Sequence, residues 1–175
     1  GDIAAHTELV KMAHASDLLP ILQSGTTEAQ DLSDLSRHME MDYSILRWSG
    51  RPYILYGATG PRTRDGLALA AIAAGGEEAL RRQPSVLGIV NPNSPLVWDR
   101  LMVEELMALA EFGQPVAITP FLLAGASAPV TLAGGLSLLV AETLSGVAMA
   151  QLVRPGAPCI LGTFLNGVDM RSGGP

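Results

Sequence analysis

The sequence predicts an α/β fold in which a parallel sheet is assembled from about five strand–helix units. Short apolar runs without polar–apolar alternation are typical of parallel strands that are covered on both faces. Segments of helical periodicity separate these runs, and each run passes into a loop rich in Gly, Asn, Ser or Pro. An open doubly wound sheet and a (β/α)₈ barrel both fit this pattern. In a barrel, such loops gather at one mouth.

The elements follow one another along the whole chain. The apolar runs predict strands at residues 18–23, 52–56, 85–90, 116–119 and 157–162. The helical periodicity predicts helices at residues 4–15, 31–48, 64–74, 98–112 and 130–153. Glycines at 75–76 and at 113 follow two of the helices, which is where glycine commonly ends a helix. The second helix is expected to bury Leu32, Leu35, Met39, Tyr43 and Leu46, which recur every three or four residues.

An uncharged stretch, residues 113–141, raises the question of a membrane span. It is long enough to cross a bilayer, but Pro115, Pro120 and Pro129 interrupt it at short intervals. We therefore predict a strand, an irregular loop over residues 122–128, and a buried helix with Pro129 in its first turn. No contact with a membrane is expected.

Composition excludes several classes of function. The 175 residues carry a net charge of −6, and Lys11 is the only lysine, so a nucleic-acid partner is not expected. Cys159 is the single cysteine, which excludes an intramolecular disulfide and a cysteine-based zinc site, and the three histidines show no metal-binding spacing. We predict no protein-bound metal and a reducing, cytoplasmic compartment. The chain begins with Gly1 and ends RSGGP, which predicts one domain over residues 1–175 that belongs to a longer protein.

Five separated blocks resemble, in order, the trimethylamine methyltransferase family. The blocks are NPNSPLVWD (91–99), GQPVAITP (113–120), AGASAPVTLAGGL (124–136), AET (141–143) and QLVRPGAPCILG (151–162). Two upstream stretches, HTELVKMAHA (6–15) and DLSDLSRHMEMDYSIL (31–46), are consistent with the same family. The resemblance implies a TIM barrel, of which this chain would supply about five of the eight units.

The resemblance also implies an activity: methyl transfer from trimethylamine, or from a quaternary amine such as glycine betaine, to the Co(I) of a corrinoid. The corrinoid cofactor would be carried by a separate partner protein, and the enzyme is expected to form a homo-oligomer. Because Co(I) is itself the nucleophile, no catalytic side chain is assigned. The alternative is a protein that keeps the barrel and binds a quaternary amine without transferring its methyl group.

Candidate substrate-binding residues lie where the predicted strands end. A quaternary ammonium group accepts no hydrogen bond, so aromatic faces and carboxylates are the groups suited to it, whereas a betaine carboxylate needs donors. The candidates are Tyr56, Asn91, Asn93, Ser94, Thr119, Phe121, Thr163 and Phe164. For Asn91, Asn93 and Ser94 the alternative is a turn that caps the next helix. For the two aromatic residues Tyr56 and Phe121 the alternative is packing in the core.

Glu142 is the most informative acid, because it lies in an apolar helix with no charged neighbour within ten residues. A buried carboxylate must be paired, protonated or functional. A salt bridge with an arginine from elsewhere in the fold and a role in the site are both open at this point.

Overall fold

The computed structural model describes residues 1–57, 59–167 and 171–172. The helices among them are α1 (Ile3–Ala15), α2 (Arg37–Trp48), α3 (Gly60–Ala74), α4 (Glu77–Arg82), α5 (Arg100–Phe112) and α6 (Leu132–Val153). The strands are β1 (Leu22–Gln23), β2 (Tyr53–Ile54), β3 (Val86–Val90), β4 (Val116–Ile118), β5 (Phe121–Ala124), β6 (Cys159–Leu161) and β7 (Phe164–Gly167). A short 3₁₀ turn, Ser24–Thr26, follows β1.

The main sheet contains five parallel strands in the order β1-β2-β3-β4-β6. This confirms the predicted α/β fold with a parallel sheet. The strands follow the order of the chain, without the reversal that defines the switch point of a doubly wound sheet. The arrangement is compatible with part of a barrel, and no closed barrel forms within the described residues.

The two faces of the main sheet differ. Leu22, Tyr53, Val86 and Val116 point to one face, where they join a single apolar core with residues of all six helices. On the opposite face the register aligns Ile89, Ala117 and Ile160, and the two isoleucines remain 38% and 46% exposed. Within the described residues, helices therefore cover only one of the two faces. A barrel has this same asymmetry, with helices outside and apolar side chains inside.

The strands are shorter than predicted, and prolines limit them. A proline directly precedes each of β2, β4 and β6: Pro52, Pro115 and Pro158. Because proline has no amide proton, it cannot donate a hydrogen bond to the neighbouring strand. Helix α3 begins earlier than predicted, at Gly60, because the Thr59 hydroxyl accepts a hydrogen bond from the Arg62 amide at 3.3 Å.

Helix α2 buries a different face from the predicted one. Met41 and Ile45 are buried, together with the polar His38, Asp42 and Ser44. Leu35, which precedes the helix, is 85% exposed, and Tyr43 is 54% exposed. The apolar spacing began in residues 31–36, which form turns rather than helix, so the predicted stripe did not continue along α2.

Helix α6 is the one helix among the described segments that is long and apolar enough, by length and composition, to cross a membrane. It begins after Thr131, whose hydroxyl caps the helix by accepting from the Gly134 amide at 3.2 Å, so Pro129 lies before the cap rather than in the first turn. One face packs on the sheet and α5 and includes the buried Glu142. The other face is exposed, so the helix is half-buried and not wholly buried as predicted.

Part of the stretch expected to be an irregular loop, residues 122–128, is a strand. Strand β5 pairs in parallel with β7 and aligns Phe121 with Phe164. The two strands extend β4 and β6 beyond Pro120 and Thr163, because the Phe164 amide donates to the Pro120 carbonyl at 3.1 Å. Ser127 closes the turn after β5, where its hydroxyl accepts from the Leu123 amide at 2.9 Å.

Candidate functional site

A cleft of about 490 Å³ lies at the carboxyl ends of β1, β2 and β3. In parallel α/β sheets this edge is where ligands bind. The cleft is lined by Gln23, Gly25, Glu28, Ile54, Leu55, Tyr56, Gly57, Arg62, Ile89, Asn91, Met102 and Glu105. Two of the predicted residues, Tyr56 and Asn91, are among them.

Tyr56 is held at both of its ends. Its hydroxyl donates to Glu28 Oε1 at 2.7 Å, and its backbone amide donates to Asp42 Oδ1 at 3.2 Å. Burial and the adjacent Glu28 carboxylate raise the pKa of Tyr56, while Arg37 opposes the rise, so the phenol stays protonated near neutral pH. The ring is therefore a fixed, neutral aromatic wall of the cleft.

Glu28 is oriented by an arginine from α2. Arg37 Nη1 lies 3.7 Å from Glu28 Oε2 and 2.7 Å from Asp34 Oδ1. The same guanidinium donates to the carbonyls of Ala29 and Leu32 at 2.9 and 3.0 Å. Arg37 thus fixes the loop that carries Glu28 and, through Glu28, the direction of the Tyr56 hydroxyl.

A second carboxylate, Glu105, reaches the cleft from α5 although it is almost fully buried. It lies against Gly57, where an added Cβ would be only 2.6 Å from Glu105 Oε1. The glycine after the end of β2 therefore makes room for this side chain. With Glu28, it gives the cleft two acidic side chains beside an aromatic ring.

Asn91 and Thr119 form a pair at the ends of β3 and β4. The Thr119 hydroxyl donates to the Asn91 side-chain oxygen, and Thr119 is buried. Asn91 lines the cleft, whereas Thr119 does not. Of the two, Asn91 can contact a ligand, and Thr119 orients it.

Asn93 and Ser94 are engaged in the loop that follows β3. Asn93 exchanges backbone hydrogen bonds with Val97, and its side-chain amide donates to Asp99 at 3.1 Å. Asp99 is the residue that caps α5, accepting from the Met102 amide at 3.0 Å. Neither Asn93 nor Ser94 lines the cleft, so the turn interpretation describes their contacts.

Glu142 holds the same loop from α6. Its carboxylate accepts hydrogen bonds from the Ser94 hydroxyl and from the Leu96 amide, both at 2.7 Å. Leu96 has a φ of 61°, a left-handed conformation that a leucine rarely adopts, and the bond to Glu142 stabilises it. Of the two interpretations left open for Glu142, the salt bridge with an arginine is not found among the described residues, where its partners are a hydroxyl and a backbone amide.

The remaining predicted residues lie on the β5–β7 extension. The Phe121 and Phe164 rings are 5.6 Å apart between centroids and inclined by 39°, and each residue is 53% exposed. Thr163 is exposed and directly precedes Phe164. The structure places this aromatic pair outside the lining of the cleft.

A larger groove, about 550 Å³, lies between α1 and β1. Its walls are mostly aliphatic, with Leu9, Met12, Leu19 and Ile21 among them, and it contains no carboxylate. It offers nothing to recognise a cation, and the cleft beside Tyr56 is therefore the candidate site. Across the described part of the chain, no group of three or more His, Cys, Asp and Glu side chains could hold a metal ion.

Sequence reasoning missed the acidic residues of the site. Glu105 lies on the apolar face of α5, next to Met102, Leu106 and Leu109. A carboxylate on the apolar face of a helix is visible in the sequence and could have indicated a functional residue. Asp42 is the same kind of signal on α2. Glu28 gave none, because it lies in a loop whose path depends on Arg37.

Comparisons with known proteins agree with the sequence blocks. A family model described as "Trimethylamine methyltransferase (MTTB)" matches residues 1–175. A glycine betaine methyltransferase of Desulfitobacterium hafniense (strain Y51) is 36% identical over 168 residues, which cover 96% of this chain and 35% of that protein. A trimethylamine methyltransferase of Methanosarcina mazei is 36% identical over 99 residues, 57% of this chain and 20% of that protein.

The similarity extends to a second sequence from the same bacterial species. A trimethylamine methyltransferase of Desulfitobacterium hafniense (strain DSM 10664 / DCB-2) is 32% identical over 121 residues, 69% of this chain and 24% of that protein. The chain thus spans about a third or less of the length of these relatives. Because the family model covers every residue, the chain belongs to the trimethylamine methyltransferase family.

Proposed function

We propose that the protein containing this chain transfers a methyl group from a methylated amine to a corrinoid carried by a partner protein. Family membership and the names of the glycine betaine and trimethylamine methyltransferases among its relatives support this reaction class. The observation that carries the proposal for this chain is the cleft, which brings the Tyr56 ring together with Glu28 and Glu105. That combination suits a methylated ammonium cation.

The chemistry of such a cation explains why these residue types serve. A quaternary nitrogen donates and accepts no hydrogen bonds, so it is stabilised by the negative face of an aromatic ring and by nearby carboxylates. Cation–aromatic contacts contribute about 0.5–2 kcal/mol each, more where water is excluded. Glu28 and Glu105 outnumber Arg62 among the charged residues that line the cleft of about 490 Å³, and this acidic excess favours a cationic substrate.

The residues of this chain need only bind and orient the amine. The corrinoid would supply Co(I), the nucleophile that accepts the methyl group, and the departing amine takes the electron pair of the broken nitrogen–carbon bond. The protein contributes by holding one methyl group of the amine toward the open mouth of the cleft. Holding two reacting groups close together and in the correct orientation is a large source of rate acceleration. The cleft lies at the carboxyl edge of the sheet, and the half-exposed Phe121 and Phe164 lie at the same edge, where a partner would approach.

The fold proposed for the whole protein is a (β/α)₈ barrel, with residues 1–175 as a continuous part of it. The exposed isoleucines Ile89 and Ile160 support this, because they would face the inside of a closed barrel. Further strands of the same protein would then complete the wall around the cleft.

The test uses the whole protein with its corrinoid partner reduced to Co(I). Trimethylamine and glycine betaine are supplied in turn, and methyl–cobalt formation is followed by absorbance. The variant Y56A is expected to lower kcat/KM by about tenfold or more, since it removes the aromatic wall. Y43A is the matched control: Tyr43 is exposed on α2, outside the cleft, and its removal should change little.

The outcomes separate the alternatives. Transfer that depends on Tyr56 but not on Tyr43 supports the proposal. Binding of an amine by calorimetry without methyl–cobalt formation would instead identify an amine-binding protein. The absence of both binding and transfer with every methylated amine tested would overturn the proposed function.

A further inference from the structure

We propose that Asp42 and His6 replace one hydrogen-bonded rung between β1 and β2, and that this replacement positions Tyr56 at the wall of the cleft. The inference rests on the proposed function only in treating this cleft as the amine site. Asp42 and His6 are positioning residues: they lie on α2 and α1 and do not touch the substrate themselves.

The parallel ladder between β1 and β2 stops at the point where the cleft begins. Leu22 pairs with Tyr53, and Gln23 pairs with Ile54. In a continued ladder the Tyr56 amide would donate next to the carbonyl of Ser24. The chain instead turns at Ser24 into a 3₁₀ segment, and this rung is absent from the ladder.

Two buried side chains satisfy the backbone groups that the lost rung leaves behind. The Tyr56 amide donates to Asp42 Oδ1 at 3.2 Å, and His6 Nε2 lies 2.9 Å from the Ser24 carbonyl. Because a carbonyl only accepts, His6 must carry its proton on Nε2. The Tyr56 amide and the Ser24 carbonyl are thus each bonded to a side chain from a helix instead of to the neighbouring strand. Both of these side chains are almost completely buried, where an unpaired backbone group would be costly.

The two oxygens of the Asp42 side chain differ: Oδ1 accepts from the Tyr56 amide, whereas Oδ2 is buried and makes no hydrogen bond of ordinary geometry. Oδ2 lies against α3, where a Cβ added at Gly66 would be only 2.5 Å away, so a larger residue at 66 would displace the acid. Burial raises the pKa of Asp42 to about 7, and the Ser24 hydroxyl and Tyr56 amide oppose that rise. A buried acid is a costly choice for packing alone, and an apolar residue of similar volume would cost less. The hydrogen bond that Asp42 accepts from the Tyr56 amide explains why an acid occupies this buried position.

The missing rung has a direct effect on the cleft. Gly25, one residue beyond Ser24, lies beside the Tyr56 ring, with an added Cβ 3.5 Å from Cδ2. Gly25, Gln23 and Tyr56 all line the cleft. If the ladder continued, the ends of β1 and β2 would be joined and the space between Gly25 and the ring would close.

The test places a fluorinated tyrosine at position 56 of the whole protein and records its fluorine NMR signal without amine. D42A removes the acceptor and should shift or broaden the signal, whereas D42N keeps an oxygen at Oδ1 and should remain close to wild type. H6A removes the other half of the replacement and should also perturb the signal. M41A is the matched control, because Met41 is an equally buried neighbour on α2 without a bond to Tyr56.

Amine affinity supplies the second readout. D42A is expected to weaken amine binding by about tenfold, the equivalent of one buried hydrogen bond. In a Y56A background D42A should have almost no further effect, because a residue that acts through Tyr56 is not additive with its loss. If D42A does not fold, the comparison of H6A with M41A tests the same point.

Several results would overturn the inference. They are an unchanged fluorine signal in both D42A and H6A, an equal perturbation in M41A, or additive losses of affinity in the D42A/Y56A pair. The fluorine experiment needs no substrate, so it distinguishes a failure of this inference from a failure of the proposed function. If the wild-type protein binds no amine but D42A and H6A still change the fluorine signal as expected, only the proposed function is refuted.

Discussion

The carboxylate of Glu142 and the hydroxyl of Ser94, 48 positions apart in the chain, are joined by a hydrogen bond of 2.7 Å. A second bond of 2.7 Å links the same carboxylate to the Leu96 amide. A single helix residue therefore fixes the loop after β3, which carries Asn91 at one end and the cap of α5 at the other.

The first prediction concerns this interaction. E142A should lower the free energy of unfolding by about 2 kcal/mol, because it leaves the Ser94 hydroxyl and the Leu96 amide, whose bonds to Glu142 are partly buried, without their acceptor. E142Q keeps one acceptor oxygen and should lose about 1 kcal/mol. Chemical denaturation measures both, with the exposed Glu8 as control: E8A should change little, since exposed ion pairs contribute little. Equal stability of E142A and wild type would refute the role of Glu142.

A second prediction separates the ring of Tyr56 from its hydroxyl. Y56F loses the bond to Glu28 but keeps the aromatic face, so amine affinity should fall by only about threefold. E28Q should have a similarly small effect on the orientation of the ring, with an additional loss from the missing charge. Calorimetric titration with a quaternary amine measures both affinities. A Y56F variant as weak as Y56A would mean that the hydroxyl, rather than the ring face, binds the substrate.

The third prediction is a pH dependence of stability. The pKa of Asp42 is raised from 3.8 to about 7 in the folded protein, so between these values the folded state holds a proton that the unfolded state has released. The contribution of Asp42 to stability is therefore fully present below pH 3.8 and is lost as the pH rises through about 7. The total change is roughly 4 kcal/mol by linkage.

D42N isolates this effect, because its side chain does not titrate. The difference in unfolding free energy between wild type and D42N should decrease steadily from pH 4.5 to pH 7.5 and then level off. Groups elsewhere titrate equally in both proteins and cancel in the difference. A difference that stays constant over that range would show that the carboxyl group does not hold its proton as described.

The fourth prediction concerns the glycine beside Glu105. In G57A the new methyl group would lie 2.6 Å from Glu105 Oε1, so the carboxylate must move away from its present position in the cleft. We expect amine affinity to fall by about fivefold, with a smaller effect on stability, since only a side-chain end is displaced. G50A is the control, because nothing lies within 4 Å of a Cβ at that position. Unchanged affinity in G57A would remove Glu105 from the site.

Much of the fold followed from local pattern, and the failures have identifiable causes. The strand–helix order was predictable because buried parallel strands and amphipathic helices each leave their own spacing of apolar residues. Strands β5 and β7 were missed because they are short and pair only with each other. The residues around Phe121 and Phe164 show no spacing of apolar residues that would indicate a strand. The buried face of α2 was mistaken because polar side chains, Asp42 and His38, occupy it.

The site was partly predictable for a related reason. Position after a strand selected Tyr56 and Asn91, and both line the cleft, although their role in binding stays a prediction. Position alone also selected Asn93 and Ser94, whose contacts are with Asp99 and Glu142. The acids that complete the cleft arrive from a loop and from a helix, and their convergence depends on tertiary packing that spacing in one sequence does not encode.

The interrupted ladder between β1 and β2 changes what sets the spacing between the ends of these two strands. The distance between neighbouring strand ends is usually set by backbone bonds and is therefore the same for any sequence. Here it is set by side chains on α1 and α2, which ordinary substitutions can lengthen, shorten or remove. Variation in the outer helices can consequently alter the width of the cleft while every residue that lines it stays the same.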